Sequence, residues 1–328
     1  MKILVTGAGG FIGSHVADAL ANDGHEVVGI DDFSGGEERN TINRKWTLVQ
    51  SSIVTGDMEW IVKQYEPEVL YHLAANAREG ASQFQPLNVT ERNYYGYMRL
   101  LEPLIAKNLK KVVLFSSMAT YGKQTPPFRE DMETKPEDIY AINKVAMEET
   151  TKVLADVHGF NWTIIRPHNV FGPRQSLRDS KRNVLGIWMN CIMRGERAWI
   201  FGDGEQTRAF SYIEDSLPCY VKCLNFGENQ IYNIGGIKPY TINESWKVVQ
   251  QAMGVENYPV QYLPLRPREV KFAYCDQTKA KQKLEYEDKV GFEKGVQKMA
   301  EWAKSVGPQE WMEEKLSIVN DKTPSVWV

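Results

Sequence analysis

Two side chains one helical turn apart could carry out acid–base chemistry on a hydroxyl group. Tyr140 and Lys144 belong to the run Tyr-Ala-Ile-Asn-Lys inside a helical pattern, so both project from one helix face. A phenol with a pKa of about 10 is a poor base at neutral pH, but a neighbouring ammonium group favours the phenolate. The pair predicts a base that removes a hydroxyl proton as hydride leaves the same carbon. Such pairs also arise by chance on surface helices, so the surrounding fold must show whether this pair belongs to an active site.

Residues 115–122 bring hydroxyl groups to the same region. Their sequence, Phe-Ser-Ser-Met-Ala-Thr-Tyr-Gly, follows an apolar run at 111–115 that predicts a buried strand. Ligands bind at the carboxyl ends of parallel strands. A hydroxyl at this strand end could donate to, or accept from, the reacting oxygen.

A glycine-rich loop near the start of the chain predicts a dinucleotide site. Gly7, Gly10 and Gly13 stand between a strand at 2–6 and a helix. They permit a tight turn, a close approach of pyrophosphate to the backbone, and packing of the helix on the sheet, and the helix N-terminus favours negative charge. Asp31, 18 positions after Gly13, would bind an adenosine ribose and repel a 2′-phosphate, which favours NAD. The alternative is a plain glycine turn before a helix.

Alternating strand and helix patterns predict the fold that would position these groups. Strands are predicted at 2–6, 26–30, 47–50, 69–72, 111–115 and 163–165. Helices are predicted at 11–22, 58–65, 88–107 and 139–158. This alternation indicates an α/β protein with a Rossmann-type, doubly wound parallel sheet covered by helices on both faces.

The pattern loosens after about residue 166, which predicts a smaller, interleaved lobe. Turn residues become frequent there, and helical spacing returns within 208–227. We predict a dinucleotide-binding domain from 1–167 and about 208–237. The substrate-binding lobe is then about 168–207 and 238–306, followed by a C-terminal extension at 307–328.

Several further motifs give the chain a family resemblance from Met1 to about Leu284. They are His72-Leu73-Ala74-Ala75, Ser117-x-x-x-Tyr121-Gly122, Tyr140-x-x-x-Lys144, Arg166-Pro167-His168-Asn169 and its continuation to Arg174, Gly202-Asp203-Gly204 and its continuation to Arg208, and Arg266-Pro267. Together with the glycine loop, they make the sequence similar to the extended short-chain dehydrogenase/reductase family. The resemblance is specifically to its NAD-dependent nucleotide-sugar epimerases and dehydratases.

The resemblance implies roles for individual residues. It assigns catalysis to Ser117, Tyr140 and Lys144. It assigns NAD binding to Gly7, Gly10, Phe11, Ile12, Gly13, Asp31, Ile53, Leu73, Ala74, Ala75, Tyr140 and Lys144. It assigns the nucleoside-diphosphate sugar to Arg78, Glu79, Ser117, Met118, Asn169, Arg208 and Arg266, with Arg208 and Arg266 on the diphosphate, which suits guanidinium chemistry.

The residues after Ser117 narrow the predicted reaction. Dehydratases of this family have an Asp-Glu pair there, decarboxylases a Glu and 3,5-epimerases a Cys, whereas this chain has Met118 and Ala119. A 4-epimerase needs only the oxidation and reduction machinery, because a 4-keto sugar turns over between the two steps. The resemblance therefore implies a 4-epimerase with tightly bound, recycled NAD. Glu79 leaves an alternative open, since it is either an additional acid/base of a dehydratase or other epimerase, or a solvent-facing charge. A non-catalytic NAD-binding protein is a further alternative.

Composition and charge limit the other functions. A net charge of −3 over 328 residues gives no general attraction to nucleic acid or to anionic lipid. No run is long enough to span a membrane, and the N-terminus lacks a secretory pattern, so we expect a cytoplasmic protein. The four cysteines lack a zinc spacing, which predicts reduced thiols and no metal site.

Two further segments suggest contacts with other surfaces. The helices predicted at 88–107 and 139–158 correspond to those that pair in a dimer interface of relatives, so a homodimer is expected, although their apolar residues could equally be core. The apolar residues of the C-terminal extension predict docking onto this chain or onto a partner. The basic cluster at 178–182 either favours an acidic sugar or is a solvated loop.

Overall fold

A seven-stranded parallel sheet forms the centre of the protein in a computed structural model that describes residues 1–328. Its strands are β1 (Lys2–Thr6), β2 (Glu26–Asp31), β3 (Thr47–Gln50), β4 (Val69–His72), β5 (Lys111–Phe115), β6 (Asn161–Pro167) and β11 (Gln230–Ile234). They are arranged in the order β11-β6-β5-β4-β1-β2-β3. The chain starts at β1 and winds in both directions, so the predicted doubly wound α/β fold is confirmed.

Helices cover both faces of this sheet because successive strand residues point to opposite sides. Ile3 and Val5 of β1 belong to one large apolar cluster, whereas Leu4 belongs to a second cluster on the other face. The covering helices are α1 (Phe11–Asn22), α2 (Met58–Tyr65), α3 (Pro86–Thr90), α4 (Gly96–Lys107), α5 (Ile139–His158) and α7 (Ile213–Lys222). The helix predicted at 88–107 is interrupted, because a π-helical turn at Glu91–Tyr95 separates α3 from α4.

Local sequence signals determine where α5 begins and ends. The Asp138 side chain accepts a hydrogen bond from the backbone N–H of Ala141 at 2.8 Å and caps the N-terminus. Gly159 ends the helix in the left-handed region, with φ of 77°. The cap at Asp138 places Tyr140 and Lys144 in the first two turns, directly beyond the end of β5.

The remaining elements form a smaller, less regular assembly beside the sheet. They are β7 (Val170–Phe171), α6 (Val184–Arg194), β8 (Ala198–Phe201), β9 (Thr207–Ala209), β10 (Ser211–Tyr212), β12 (Pro239–Thr241), α8 (Ile242–Met253), β13 (Val260–Leu263), β14 (Phe272–Ala273), α9 (Thr278–Leu284) and α10 (Phe292–Val306). Its strands pair only in short sheets, β12-β9-β14, β13-β8 and β10-β7. The chain enters this assembly after β6, returns to the central sheet at β11, and leaves again at β12.

Residues 307–328 contain little regular structure, but they are packed against the rest of the chain. Trp327, in a short 3-10 turn at Ser325–Trp327, is 5% exposed. All four cysteines are buried free thiols. No helix combines the length and the hydropathy required to cross a bilayer.

Candidate active site

The glycine loop after β1 forms a turn in which side chains have no room. Gly7 has a φ of 69°, and a Cβ at this position would lie 2.9 Å from the backbone nitrogen of Ala74. A Cβ at Gly13 would lie 2.0 Å from the carbonyl oxygen of Gly7. The Gly10 N–H donates to that same carbonyl at 3.0 Å. The backbone at the N-terminus of α1 is therefore open to a phosphate group.

Asp31, at the end of β2, is fixed beside this turn. Its carboxylate accepts hydrogen bonds from the backbone N–H groups of Gly9 at 2.9 Å and Phe33 at 2.8 Å. Burial raises the pKa of Asp31, while these two N–H groups oppose the shift. A carboxylate held at this position can accept from a ribose hydroxyl and disfavours a phosphate there.

These groups lie in one cavity, which we name the glycine-loop groove. It has an empty volume of about 1400 Å³ including its open mouth. Every residue predicted to bind NAD lines it, namely Gly7, Gly10, Phe11, Ile12, Gly13, Asp31, Ile53, Leu73, Ala74, Ala75, Tyr140 and Lys144. The structure therefore brings together residues from four strand ends, those of β1, β2, β3 and β4, and from α5.

Two of the predicted catalytic residues, Tyr140 and Lys144, line this groove, and Ser117 directly follows Ser116, which also lines it. The Lys144 ammonium donates to the carbonyl oxygen of Phe115 at 2.7 Å and lies 5.7 Å from the centre of the Tyr140 ring. The Ser117 hydroxyl oxygen accepts from the backbone N–H of Ala119 at 3.1 Å. All three side chains are buried, with Ser117 9% exposed, Tyr140 7% and Lys144 2%. Their burial makes proton affinities sensitive to neighbouring charges.

Burial shifts the proton affinities of the tyrosine and the lysine in opposite directions. It raises the pKa of Tyr140 to about 12, while the Arg182 guanidinium and the Ser117 hydroxyl favour the phenolate. Burial and the neighbouring Arg182 charge together lower the pKa of Lys144 to about 7. A cationic group bound in the groove would favour the phenolate, so ligand binding would bring Tyr140 closer to the range needed for a base.

A second cavity adjoins the groove and contains most of the residues predicted to bind the substrate. Glu79, Met118, Asn169, Arg208 and Arg266 line this cavity, which we name the arginine pocket. Its empty volume is about 1350 Å³ including open solvent. The two cavities share Ala77, Arg182 and Asn183 in their walls. One bound molecule could thus reach the tyrosine from the arginine side while a second occupies the groove.

A shared carboxylate positions the two arginines of this pocket. Glu269 accepts from Arg208 Nη2 at 2.7 Å through one oxygen and from Arg266 Nε at 2.7 Å through the other. Arg208 also donates to the carbonyl oxygens of Thr207 and Val270, both at 2.8 Å. One carboxylate compensates two guanidinium groups, which leaves a net positive charge suited to a diphosphate.

Two carboxyl groups lie near each other in the arginine pocket. Asp138 and Glu79 both line it. Burial and the neighbouring Glu79 charge raise the pKa of Asp138 to about 7. Burial also raises the pKa of Glu79, while Arg208 opposes the shift. The Glu79 charge thus makes ionisation of Asp138 less favourable.

Arg78 and Asn169, both predicted to bind the substrate, line different cavities. The Arg78 guanidinium donates to Asp179 at 2.7 Å and also pairs with Glu314, and it lines the glycine-loop groove rather than the arginine pocket. Asn169 lies in the arginine pocket, where its amide donates to the carbonyl oxygen of Ala209 at 3.0 Å. Two of the predicted substrate residues, Arg78 and Ser117, therefore do not line the arginine pocket.

Comparisons with known proteins agree with this geometry. The sequence profile of the NAD dependent epimerase/dehydratase family matches residues 3–235. The chain belongs to this family. The match includes the glycine loop, the Tyr140–Lys144 pair and Arg208, so the family resemblance of the sequence is confirmed.

Three relatives illustrate the similarity within the family. UDP-glucose 4-epimerase of Mycolicibacterium smegmatis is 32% identical over 311 residues, which cover 92% of this chain and 98% of the relative. The structure of UDP-glucose 4-epimerase from Thermotoga maritima with UDP-glucose is 35% identical, with a TM-score of 0.88 and coverage of 93% and 99%. UDP-glucuronic acid 4-epimerase from Bacillus cereus, in complex with UDP-glucuronic acid and NAD, is 29% identical, with a TM-score of 0.85 and coverage of 93% and 100%.

The family is NAD-dependent, and the glycine-loop groove fits this cofactor. A Cβ at Gly7 or Gly13 would collide with the backbone, so glycine at these positions keeps the tight turn that presents the helix N-terminus to a pyrophosphate. Asp31 stands at the ribose position of the motif, and Lys144 and Tyr140 also line the groove. The prediction of NAD rather than NADP agrees with a carboxylate at this position.

Two site residues of this family member were not singled out from the sequence. Asp138 precedes Tyr140 by two positions, and an Asp before a helical run is a capping signal that could have located it. Arg182 lines both cavities and acts on the Tyr140 phenol. The sequence marked it only as part of the basic cluster at 178–182, because no local pattern indicates which cation of a loop points inward.

Proposed function

We propose that this protein is an NAD-dependent nucleotide-sugar 4-epimerase that acts through a transient 4-keto sugar. The observation that carries the proposal is that Tyr140 and Lys144 line the glycine-loop groove next to the wall that it shares with the arginine pocket. Arg182 lines both cavities and its charge acts on the Tyr140 phenol, while Met118 lines the arginine pocket. Neither Met118 nor the buried Ala119 can exchange a proton. The site therefore contains oxidation and reduction machinery without the acid and base that elimination requires at these positions.

In this mechanism, the chain provides orientation and a base. Arg208 and Arg266 bind the diphosphate, and Asn169 contacts the sugar nucleotide in the same pocket. Tyr140 removes the proton of the sugar 4-hydroxyl, with Ser117 hydrogen-bonded to the reacting oxygen and Lys144 favouring the phenolate. NAD, which the glycine loop, Asp31 and Lys144 would hold, would supply reversible hydride exchange at C4 and would be regenerated in each turnover. Tyr140 then returns the proton to the new 4-hydroxyl.

The proposed reaction can be tested without adding cofactor. We expect the purified protein to interconvert UDP-glucose and UDP-galactose, or their N-acetyl or uronic acid forms, with no NAD in the assay. Chromatography of the products and mass spectrometry would show a change in configuration at constant mass. Products that have lost water across a broad panel of nucleotide sugars would contradict epimerisation.

The carboxyl pair of the arginine pocket favours a second candidate function. Glu79 and Asp138 both line this pocket, and the pKa of Asp138 is raised to about 7. A 4-keto group acidifies the hydrogens on adjacent carbons, and a carboxylate can remove one of them. The enzyme would then be a dehydratase, or an epimerase at another carbon, with Glu79 as the additional acid/base. Loss of 18 mass units in the product, or uptake of solvent deuterium at carbon, would favour this function, and Glu79→Gln should abolish either signal.

We propose a homodimer through α4 and α5. Val153 and Val157 are 61% and 68% exposed on α5, and Ile142 is 48% exposed on the same helix face. Such a row of exposed apolar residues is typical of a protein interface. In light-scattering measurements after gel filtration, Val153→Glu should yield monomers, whereas Ile42→Glu, at an exposed apolar residue elsewhere, should not. An unchanged mass for the α5 variant would contradict this interface.

A further inference from the structure

The C-terminal segment, residues 308–328, connects the two cavities from outside. It begins beside α6, where the side chain of Asn190 donates to the carbonyl of Gln309 at 2.9 Å and accepts from its N–H at the same distance. It then runs past the loop that follows β7, where the N–H of Met312 donates to the carbonyl of Arg178 at 2.8 Å. The segment therefore lies first on the smaller assembly.

The same segment next attaches to the loop that follows β4. Glu314 pairs with Arg78, which lines the glycine-loop groove. The N–H of Ile318 donates to the carbonyl of Phe84 at 2.9 Å. A partly buried ion pair and backbone hydrogen bonds on both sides hold the segment across the boundary between the cavities.

The chain ends with an aromatic side chain in the wall of the arginine pocket. The Trp327 ring packs edge-on against Phe84 and Phe201, with centroid distances of 6.1 and 5.9 Å. A Cβ placed on Gly80 would be 3.2 Å from the Trp327 ring and 3.3 Å from Arg266 Nη1. Trp327 thus lies next to one of the two diphosphate arginines and next to the loop that carries Glu79.

The Trp327 indole also has an unused hydrogen-bonding group. Its Nε1–H is buried and has no acceptor in the protein. Buried indole N–H groups normally have a partner, and a ligand with acceptor oxygens would supply one. Aromatic walls with a few polar groups are typical of small-molecule sites.

From these contacts, we propose that Trp327 is a binding residue for the nucleoside-diphosphate sugar, and that the C-terminal segment completes the arginine pocket by holding it there. The ring contacts the bound ligand beside Arg266, and the indole N–H donates to a ligand oxygen. This inference rests on the arginine pocket being the substrate site of the proposed function. It does not depend on which reaction follows binding.

Calorimetric titrations with UDP-, dTDP-, GDP-, CDP- and ADP-glucose would test the role of Trp327 in the full-length protein. For whichever sugar nucleotide the unmodified protein binds, we expect Trp327→Ala to weaken binding at least tenfold. Trp327→Phe, which keeps a ring but loses the N–H, should weaken it about threefold. The bound NAD content should not change, because the glycine-loop groove does not include Trp327.

Leu316→Ala is the matched control, since Leu316 packs against the same apolar cluster but does not line the pocket. It should lower thermal stability about as much as Trp327→Ala and leave sugar-nucleotide affinity within twofold. Equal losses of affinity in both alanine variants, or none in Trp327→Ala, would overturn the inference.

The outcomes of the two proposals can be separated. If the protein binds a sugar nucleotide through Trp327 but shows no epimerisation, the inference stands and the proposed reaction fails. If it epimerises and Trp327→Ala binds and turns over substrate normally, only the inference fails. Absence of binding to all five ligands and to the N-acetyl and uronic acid forms of UDP-glucose would overturn both.

Discussion

The glycine-loop groove and the arginine pocket are built in different ways, although they share a wall. The groove is formed mainly by backbone at successive strand ends, and its key contacts join residues within one β-α-β unit, such as Gly9 and Asp31. The pocket is formed by side chains from distant segments, including Glu79, Arg208 and Trp327. The comparison indicates that the glycine-loop groove depends on local chain geometry, whereas the arginine pocket depends on long-range packing.

Tyr140, which lines the glycine-loop groove, should give the largest effect on activity. Tyr140→Phe keeps the packed ring but removes the phenol, so we expect kcat to fall about 10³-fold with NAD content and fold unchanged. Steady-state kinetics and circular dichroism would check this. Tyr97→Phe is the control, since the buried Tyr97 hydroxyl bonds only to Thr151, at 2.7 Å. It should cost stability of about 1 kcal/mol and little activity. Comparable kcat values for Tyr140→Phe and the unmodified enzyme would contradict the assigned base.

Gly13→Ala should damage the groove and spare the pocket. The added methyl group would lie 2.0 Å from the carbonyl oxygen of Gly7, so the turn must shift. We expect NAD affinity to fall roughly 100-fold and the melting temperature to fall by several degrees. Gly24→Ala is the control, because Gly24 has open space around it and an added methyl group would meet no other atom, although its φ is 83°. That variant should lose about 1 kcal/mol of stability and keep its NAD affinity. Similar NAD affinities for the two variants would contradict the role of the clash at Gly13.

Arg208→Ala should have the converse effect. Removing one of the two guanidinium groups that face a diphosphate should weaken sugar-nucleotide binding roughly 30-fold, measured by titration calorimetry. The NAD content should stay constant, since Arg208 does not line the groove. Arg129→Ala removes an exposed arginine that pairs with Asp131, and it should leave binding unchanged. A loss of NAD in Arg208→Ala would mean that the two cavities are not separable.

The Asp138 carboxyl should make a smaller, pH-dependent contribution to stability. Its pKa is raised from about 3.8 to about 7 in the folded protein. Between pH 3.8 and pH 7, the folded state therefore keeps a proton that the unfolded state has lost. Stability from this group is therefore present at low pH and is lost as pH rises through 7. The free energy of unfolding of the unmodified protein, relative to Asp138→Asn, should fall by about 1–2 kcal/mol between pH 5 and pH 8.

Denaturant titrations of both proteins at the two pH values would measure this difference. Asp57→Asn is the matched control, since Asp57 caps α2 at an exposed position and accepts from the N–H of Trp60 at 2.9 Å. The difference in free energy of unfolding between Asp57→Asn and the unmodified protein should change little between pH 5 and pH 8. If the difference in free energy of unfolding between Asp138→Asn and the unmodified protein does not change with pH, the raised pKa of Asp138 is contradicted.

The sequence predicted the fold and the groove well because both follow from local patterns. Strands β1, β3, β4 and β5 have the predicted bounds. The helix predicted at 88–107 was broken by the π-helical turn, which hydrophobic spacing does not reveal. The short strands of the smaller assembly were not predicted, because two- and three-residue strands carry no periodic signal.

The sequence alone determined the glycine turn, the Asp31 position and the Tyr140–Lys144 spacing, because each depends on backbone conformation within one or two elements. Only the tertiary structure decided that Arg78 pairs with Glu314 at the edge of the groove, that Glu79 meets Asp138, and that Trp327 enters the arginine pocket. These contacts join residues far apart in the chain. They depend on how the loops and the C-terminal segment pack, which no spacing along the sequence specifies.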